Sequence, residues 1–215
     1  MTGRSLALAL PLRSARRAPL WKRLFDITLT CTMLGAFWPL MLLIAVAVRL
    51  SSPGPVFFVQ TRIGLGGEPF PMIKFRSMYA DAERRRAEIA ALSDREGICV
   101  KVRKDPRITP VGRLLRRSSL DELPQLFNVL AGDMSLVGPR PALPEEVALY
   151  PPEAHRRHTV LPGITGLWQV SGRAEIGFSD MIDLDLDYAQ RASVLLDLVI
   201  LLRTVRAVMD GKGAY

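Results

Sequence analysis

Residues 27–48 form an apolar run of 22 positions without a charge. In a helix such a run rises about 33 Å, enough to cross a hydrocarbon core of about 30 Å. Pro39 stands near its middle, next to Trp38 and just after Gly35. A proline there removes one helical hydrogen bond and meets the carbonyl of Gly35. Lys22 and Arg23 flank one end and Arg49 the other, and basic flanks normally mark the cytoplasmic side. On the residues alone two readings stand level: a kinked spanning helix, and a broken helix that enters the membrane and returns. The earlier apolar stretch at 6–12 is short and soon followed by arginines, unlike a signal peptide, so 27–48 is an expected retained anchor.

The pattern changes after this run. Residues 51–55 are a Ser/Pro/Gly turn. Residues 56–61 are β-prone, 64–67 read as a turn, and 71–78 read as a strand with Met72, Lys74 and Arg76 on one face. Residues 81–92 look helical, with Arg84, Arg85 and Arg86 on a solvated face. A further helix is expected from Pro124, with Leu126, Phe127 and Leu130 as its apolar positions and Gly132 as its stop. Arg140 lies between two prolines and is held extended, because a residue before proline avoids the helical region. Residues 162–173 read as a loop, a short strand and a turn. Residues 194–209 place Asp197, Arg203, Thr204 and Arg206 on one half of a helical wheel. Such a helix packs on a core or lies in a membrane interface. The whole predicts a small mixed α/β domain behind an apolar N-terminal helix.

Charge sharpens this picture. The net charge is +8, and residues 1–23 contribute six basic side chains and no acid. A basic arm before an apolar helix suits anionic lipid, at roughly 1 kcal/mol per basic residue near the surface. Nucleic-acid binding is not expected, since there is no zinc-finger spacing and no aromatic RNA-binding strand. Cys31 and Cys99 are too few for a disulfide framework and fit a reducing compartment. His155 and His158 lack further ligands nearby and default to exposed polar residues.

The candidate chemistry lies at Asp121 and Glu122, two adjacent carboxylates just before the helix expected at Pro124. Helix starts favour anions, and Arg113, Arg116, Arg117 and Arg140 surround the pair in sequence. Carboxylates ringed by arginines suit a phosphorylated substrate with a hard metal ion. The competing reading is a capping box, for which Ser119 and Glu122 have the spacing. A cap at Ser119 would push Pro124 beyond the first turn, which weakens it.

Six stretches together resemble one family. They are Lys74-Phe75-Arg76-Ser77-Met78, Asp105-Pro106-Arg107-Ile108-Thr109, Ser119-Leu120-Asp121-Glu122-Leu123-Pro124-Gln125, Gly132-Asp133-Met134-Ser135-Leu136-Val137-Gly138-Pro139-Arg140-Pro141, the Pro-Gly-Ile-Thr-Gly segment beginning at Pro162 and running to Arg173, and Gly211-Lys212-Gly213-Ala214-Tyr215. In this order they resemble the monotopic bacterial phosphoglycosyl transferases, or bacterial sugar transferases. The resemblance implies an enzyme on the cytoplasmic face of the bacterial inner membrane. Such an enzyme moves a sugar-1-phosphate from a UDP-sugar to undecaprenyl phosphate and releases UMP, at the first membrane step of exopolysaccharide or other glycan assembly.

It further implies that Asp121 is the nucleophile, forming a covalent phosphosugar, and that Glu122 helps bind Mg²⁺, with Asp121 as its fellow carboxylate. Lys74, Arg76, Arg116, Arg140 and Arg173 are the implied phosphate or nucleotide ligands. The family's membrane helix breaks at Ser-Pro, where this chain has Trp38-Pro39, and the resemblance favours re-entry over spanning. The expected organisation is a basic arm at 1–21, a re-entrant membrane helix at 22–50 and a cytoplasmic catalytic domain at 51–215. Amphipathic interfacial helices, membrane lipid as a partner and a homodimer complete the expectation. The identity of the sugar is left open.

Overall fold

A computed structural model describes residues 18–82, 84, 105–172 and 176–210. Most of the basic arm, the helix expected at 81–92, Arg173 and the terminal Gly-Lys-Gly segment lie outside these residues.

The apolar run is the middle of helix α1, Leu20–Ser51. It is long and apolar enough to cross a membrane. Its two halves both lie against the rest of the chain. In the first half, Lys22, Asp26 and Thr30 recur every fourth residue on one buried face. Lys22 reaches Asp197 at 2.6 Å and donates to the Val137 carbonyl at 3.1 Å. Asp26 accepts from the Ser135 hydroxyl and the Leu136 N–H. In the second half, Met41, Ile44 and Val48 pack with Phe75 and Leu115. Between them every residue from Gly35 to Pro39 is exposed. Five residues exceed one helical turn of 3.6, so at this point exposure runs all the way round the helix. The expected break at Pro39 is not a gap, because the helix runs through the proline from Leu20 to Ser51. A proline costs one hydrogen bond, and the turns on either side can continue.

The β-prone segments pair as an antiparallel hairpin, β1 (Phe57–Ile63) with β2 (Pro69–Phe75). Its register sets Phe57 opposite Phe75 and Ile63 opposite Pro69. Helix α2 (Pro110–Arg117) opens on Thr109, whose hydroxyl accepts the Gly112 N–H at 2.9 Å. Helix α3 (Gln125–Ala131) follows Pro124 as its cap and ends at Gly132, whose φ of 97° needs no side chain. The Arg23 guanidinium of α1 donates to the last carbonyls of α3, at Val129 and Leu130.

Strand β3 (Ser135–Val137) pairs in parallel with β4 (Gly163–Thr165). The short helix α4 (Pro144–Val147) and a 3₁₀ segment, Pro152–Thr159, lie between them. A Cβ on Gly163 would stand 2.1 Å from the Gly138 amide nitrogen. The Pro-Gly-Ile-Thr-Gly segment therefore lies backbone to backbone on the loop that carries Arg140. Helix α5 (Leu167–Ser171) occupies ground expected to be loop and turn. Helices α6 (Phe178–Arg191) and α7 (Val194–Asp210) complete the fold. One core gathers Phe70, Leu126, Val129, Leu136, Tyr188 and Ile200. A second gathers Ala142, Tyr150, Trp168, Met181 and Ile182. Helix α7 buries Asp197 and Ile200 but leaves Leu195, Leu198, Leu202, Val205 and Met209 exposed.

Candidate active site

The chain delivers its acidic pair through a strained turn. After α2 it reverses at Ser119, a non-glycine residue with φ 56°, a sparsely populated conformation. A single 3₁₀ turn, Leu120–Glu122, then leads into α3. The capping box does not form: the Ser119 side chain makes no capping bond, and only its carbonyl accepts the Glu122 N–H. Asp121 is 7% exposed.

Strand β2 supplies the cation opposite. Lys74 Nζ lies 2.6 Å from Glu122 Oε1. Its place is fixed by Asn128 on α3, whose amide oxygen accepts the Ile73 N–H while its nitrogen donates to the Pro71 carbonyl. Nothing in the sequence pattern singled out Asn128. Arg140 arrives from the loop after β3, and its Nη1 lies 3.4 Å from the same Glu122 oxygen. Arg116 anchors its Nε on the Ser77 hydroxyl at 2.9 Å and acts electrostatically on Asp121. Asp121, Glu122, Lys74, Arg116 and Arg140 thus meet as expected around one cavity.

One expected site residue stands apart. Arg76 is not on the cavity with Lys74, because β2 ends at Phe75. Its guanidinium is turned to the end of α1 and donates to the carbonyls of Val48, Ser52 and Pro53 and to the Ser52 hydroxyl. Helix-terminal carbonyls lack intrahelical donors, and Arg76 satisfies them. Arg173 lies outside the described residues. His158 is buried, contrary to the exposed default, and burial pushes it down to about 4, so it is neutral.

The two carboxylates experience different fields. Burial opposes ionising Glu122, but Lys74 and Arg140 outweigh it and hold the carboxyl down at about 2. At Asp121 burial dominates. With the Glu122 charge beside it, it outweighs Lys74, Arg116 and Arg140 and leaves that carboxyl above its usual range. Neighbouring acids driven apart in this way differ in basicity: Glu122 is the fixed anion and Asp121 the more basic carboxylate. Burial lowers Lys74 against the pull of Glu122.

The cavity holds about 590 Å³. Beyond the charged cluster it is lined by Met33 and Phe37 of α1 and by Leu201, Thr204 and Val208 of α7. Trp168 and Gln169 of α5 line it as well. One space therefore joins a polar, cation-rich floor to apolar positions on α1 and α7. No group of three or more His, Cys, Asp or Glu side chains suited to a metal occurs among the described residues.

Comparison with known proteins places these features. The family model of the bacterial sugar transferases matches residues 17–211. The exopolysaccharide production protein ExoY of Sinorhizobium fredii is 40% identical, over 90% of this chain and 88% of that protein. A UDP-glucose:undecaprenyl-phosphate glucose-1-phosphate transferase of Caulobacter vibrioides is 42% identical, over 90% of this chain and 72% of its own. An undecaprenyl-phosphate galactose phosphotransferase of Salmonella typhimurium is 40% identical, over 90% of this chain and 41% of its own. With almost its whole described length matched and its charged cluster assembled on the family's motifs, the chain belongs to the bacterial sugar transferases.

Proposed function

We propose that this protein transfers a sugar-1-phosphate from a UDP-sugar to undecaprenyl phosphate, releasing UMP, as a membrane step of exopolysaccharide or other glycan assembly. The observation that carries this reading is the single cavity, which joins Asp121 and its cations to apolar positions on α1 and α7. A water-soluble diphosphate suits its charged floor, and a lipid-borne phosphate suits its apolar wall.

The transfer runs in two displacements. A carboxylate oxygen of Asp121 attacks the β-phosphorus of the UDP-sugar. The new O–P bond forms as the bond to the bridging oxygen breaks, and UMP leaves with that electron pair. An oxygen of undecaprenyl phosphate then attacks the same phosphorus, forms the diphosphate and returns Asp121 as a free carboxylate. Dividing one transfer into two gives ping-pong kinetics. Lys74, Arg116 and Arg140 offset the charge on the phosphoryl oxygens, which an anionic nucleophile cannot otherwise approach.

The donor set fits Mg²⁺, which needs only one or two carboxylates beside substrate phosphates and water. Asp121 and Glu122 would hold it, and it would supply further neutralisation of the diphosphate.

The packing of α1 supports one topology. Its two halves both pack on the catalytic domain, while the turn from Gly35 to Pro39 is exposed all round and turns Phe37 to the mouth of the cavity. A helix crossing the bilayer would carry one half away from the domain. The arrangement supports a re-entrant helix whose apex dips into the cytoplasmic leaflet, with the exposed leucines of α7 lying in the interface. The test is radiolabelled transfer from a panel of UDP-sugars to undecaprenyl phosphate. Product with at least one sugar is expected. No product with any of them, from folded protein in membranes, would overturn the reading.

A further inference from the structure

The loop carrying Arg140 is held in an unusual way. Prolines at 139 and 141 have no N–H, so the loop is fixed through its carbonyls. Four successive carbonyls accept hydrogen bonds from elsewhere. Pro139 takes the Gly163 N–H at 2.9 Å and Ala142 takes the Ile63 N–H at 3.0 Å. Pro141 takes Arg62 Nη1 at 3.1 Å. Arg140 itself takes Arg157 Nη2 at 2.9 Å.

Arg157 is only 2% exposed. It donates to the Tyr150 hydroxyl at 2.7 Å and to the fully buried Asp185 carboxylate on α6, and its guanidinium lies 5.7 Å from the centre of the Tyr150 ring. A buried ion pair is a poor source of net stability. What this one provides is direction: a planar guanidinium with several partners is fixed in orientation. Its target is the backbone of Arg140, not the guanidinium that meets Glu122.

We propose that the buried Arg157–Asp185 pair is a positioning unit for Arg140. Asp185 aims Arg157, and Arg157 fixes the Arg140 peptide so that its side chain meets Glu122 and the donor phosphates in one geometry. This rests on the transferase reading above and adds residues from the 3₁₀ segment Pro152–Thr159 and from α6 that lie outside the family-like motifs.

The test is a double-mutant cycle in the full-length membrane protein, read as kcat for sugar-phosphate transfer. Arg157→Lys keeps the charge but cannot serve all three partners. In the otherwise native enzyme it should lower kcat on the order of tenfold to a hundredfold, the cost expected of a small misplacement. In an Arg140→Lys background it should cost less than about threefold, because a flexible ammonium does not depend on the same aim. Asp185→Asn is the second variant. It retains an acceptor for Arg157, should keep the fold by circular dichroism, and should show the same dependence on background. Equal losses in both backgrounds for a folded variant would overturn the positioning role, and so would full activity of Arg157→Lys or Asp185→Asn. An Arg140→Lys enzyme with native kcat would instead remove the premise that Arg140 acts by geometry. A transferase reading that fails altogether would show as no transfer by the unmutated protein.

Discussion

Asp121 and Glu122 are adjacent in the chain and shifted in opposite directions. Burial raises Asp121, while Lys74 and Arg140 overcome burial at Glu122 and hold it near 2. In the proposed transfer Asp121 reacts as the anion, so kcat should fall as pH drops through its raised pKa. Glu122 stays ionised throughout that range and contributes no limb. Glu122→Gln removes a like charge and releases Lys74 toward Asp121. Both effects favour the anion, so the acid limb should move to lower pH while the plateau drops. A limb that stays in place in a kcat–pH profile would contradict this coupling. Arg140→Lys and Arg140→Ala should both lose activity by on the order of a hundredfold, since lysine keeps the charge but not the planar fork. A fully active lysine variant would make Arg140 a simple point charge. At this scale the sequence was readable where the motif was contiguous, as at Asp121 and Glu122. It misled at Arg76, where strand periodicity paired it with Lys74 but the end of α1 needed a donor. Asn128 and Arg157 were invisible because they act through contacts 55 and 17 residues away.

Among the elements, α1 decides how the site meets the membrane. Its anchoring half depends on Lys22 between Asp26 and Asp197. Lys22→Met leaves Asp197 buried without its cation, and should cost about 3–5 kcal/mol, seen as a lower melting temperature. Adding Asp197→Leu should restore much of that loss. No recovery in the double variant would mean that the bridge is not the contact that matters. At the other end of the segment, Pro39→Leu restores the missing helical hydrogen bond. It should shift α1 toward spanning, with a cysteine introduced into the preceding arm becoming reactive to a membrane-impermeant thiol reagent from outside, and activity falling with it. Unchanged labelling and activity would show that Pro39 does not set the topology. Helix α7 was legible from its wheel of polar positions, as were both hairpin strands. Helix α5 and the 3₁₀ segment were not, because they carry no apolar period; the cap of α5, Gly166, packs on the Gly138 carbonyl, and the 3₁₀ segment is held through Arg157 by Tyr150, Asp185 and the Arg140 carbonyl.

The molecule as a whole brings two kinds of surface into one space, a cation-rich floor and an apolar wall formed by α1 and α7. Metal dependence belongs to this scale, since the cluster offers two carboxylates and leaves the remaining positions to substrate and water. Chelation should abolish transfer and Mg²⁺ should restore it; transfer unaffected by chelator would remove the metal from the reaction. The most direct measurement is intact and peptide mass spectrometry of the protein after incubation with UDP-sugar in the absence of undecaprenyl phosphate. Two-step transfer predicts an added sugar-phosphate on the peptide containing Asp121, formed together with UMP, discharged when undecaprenyl phosphate is added and missing in Asp121→Asn. Transfer that proceeds with no such adduct, or an Asp121→Asn enzyme with native turnover, would contradict it.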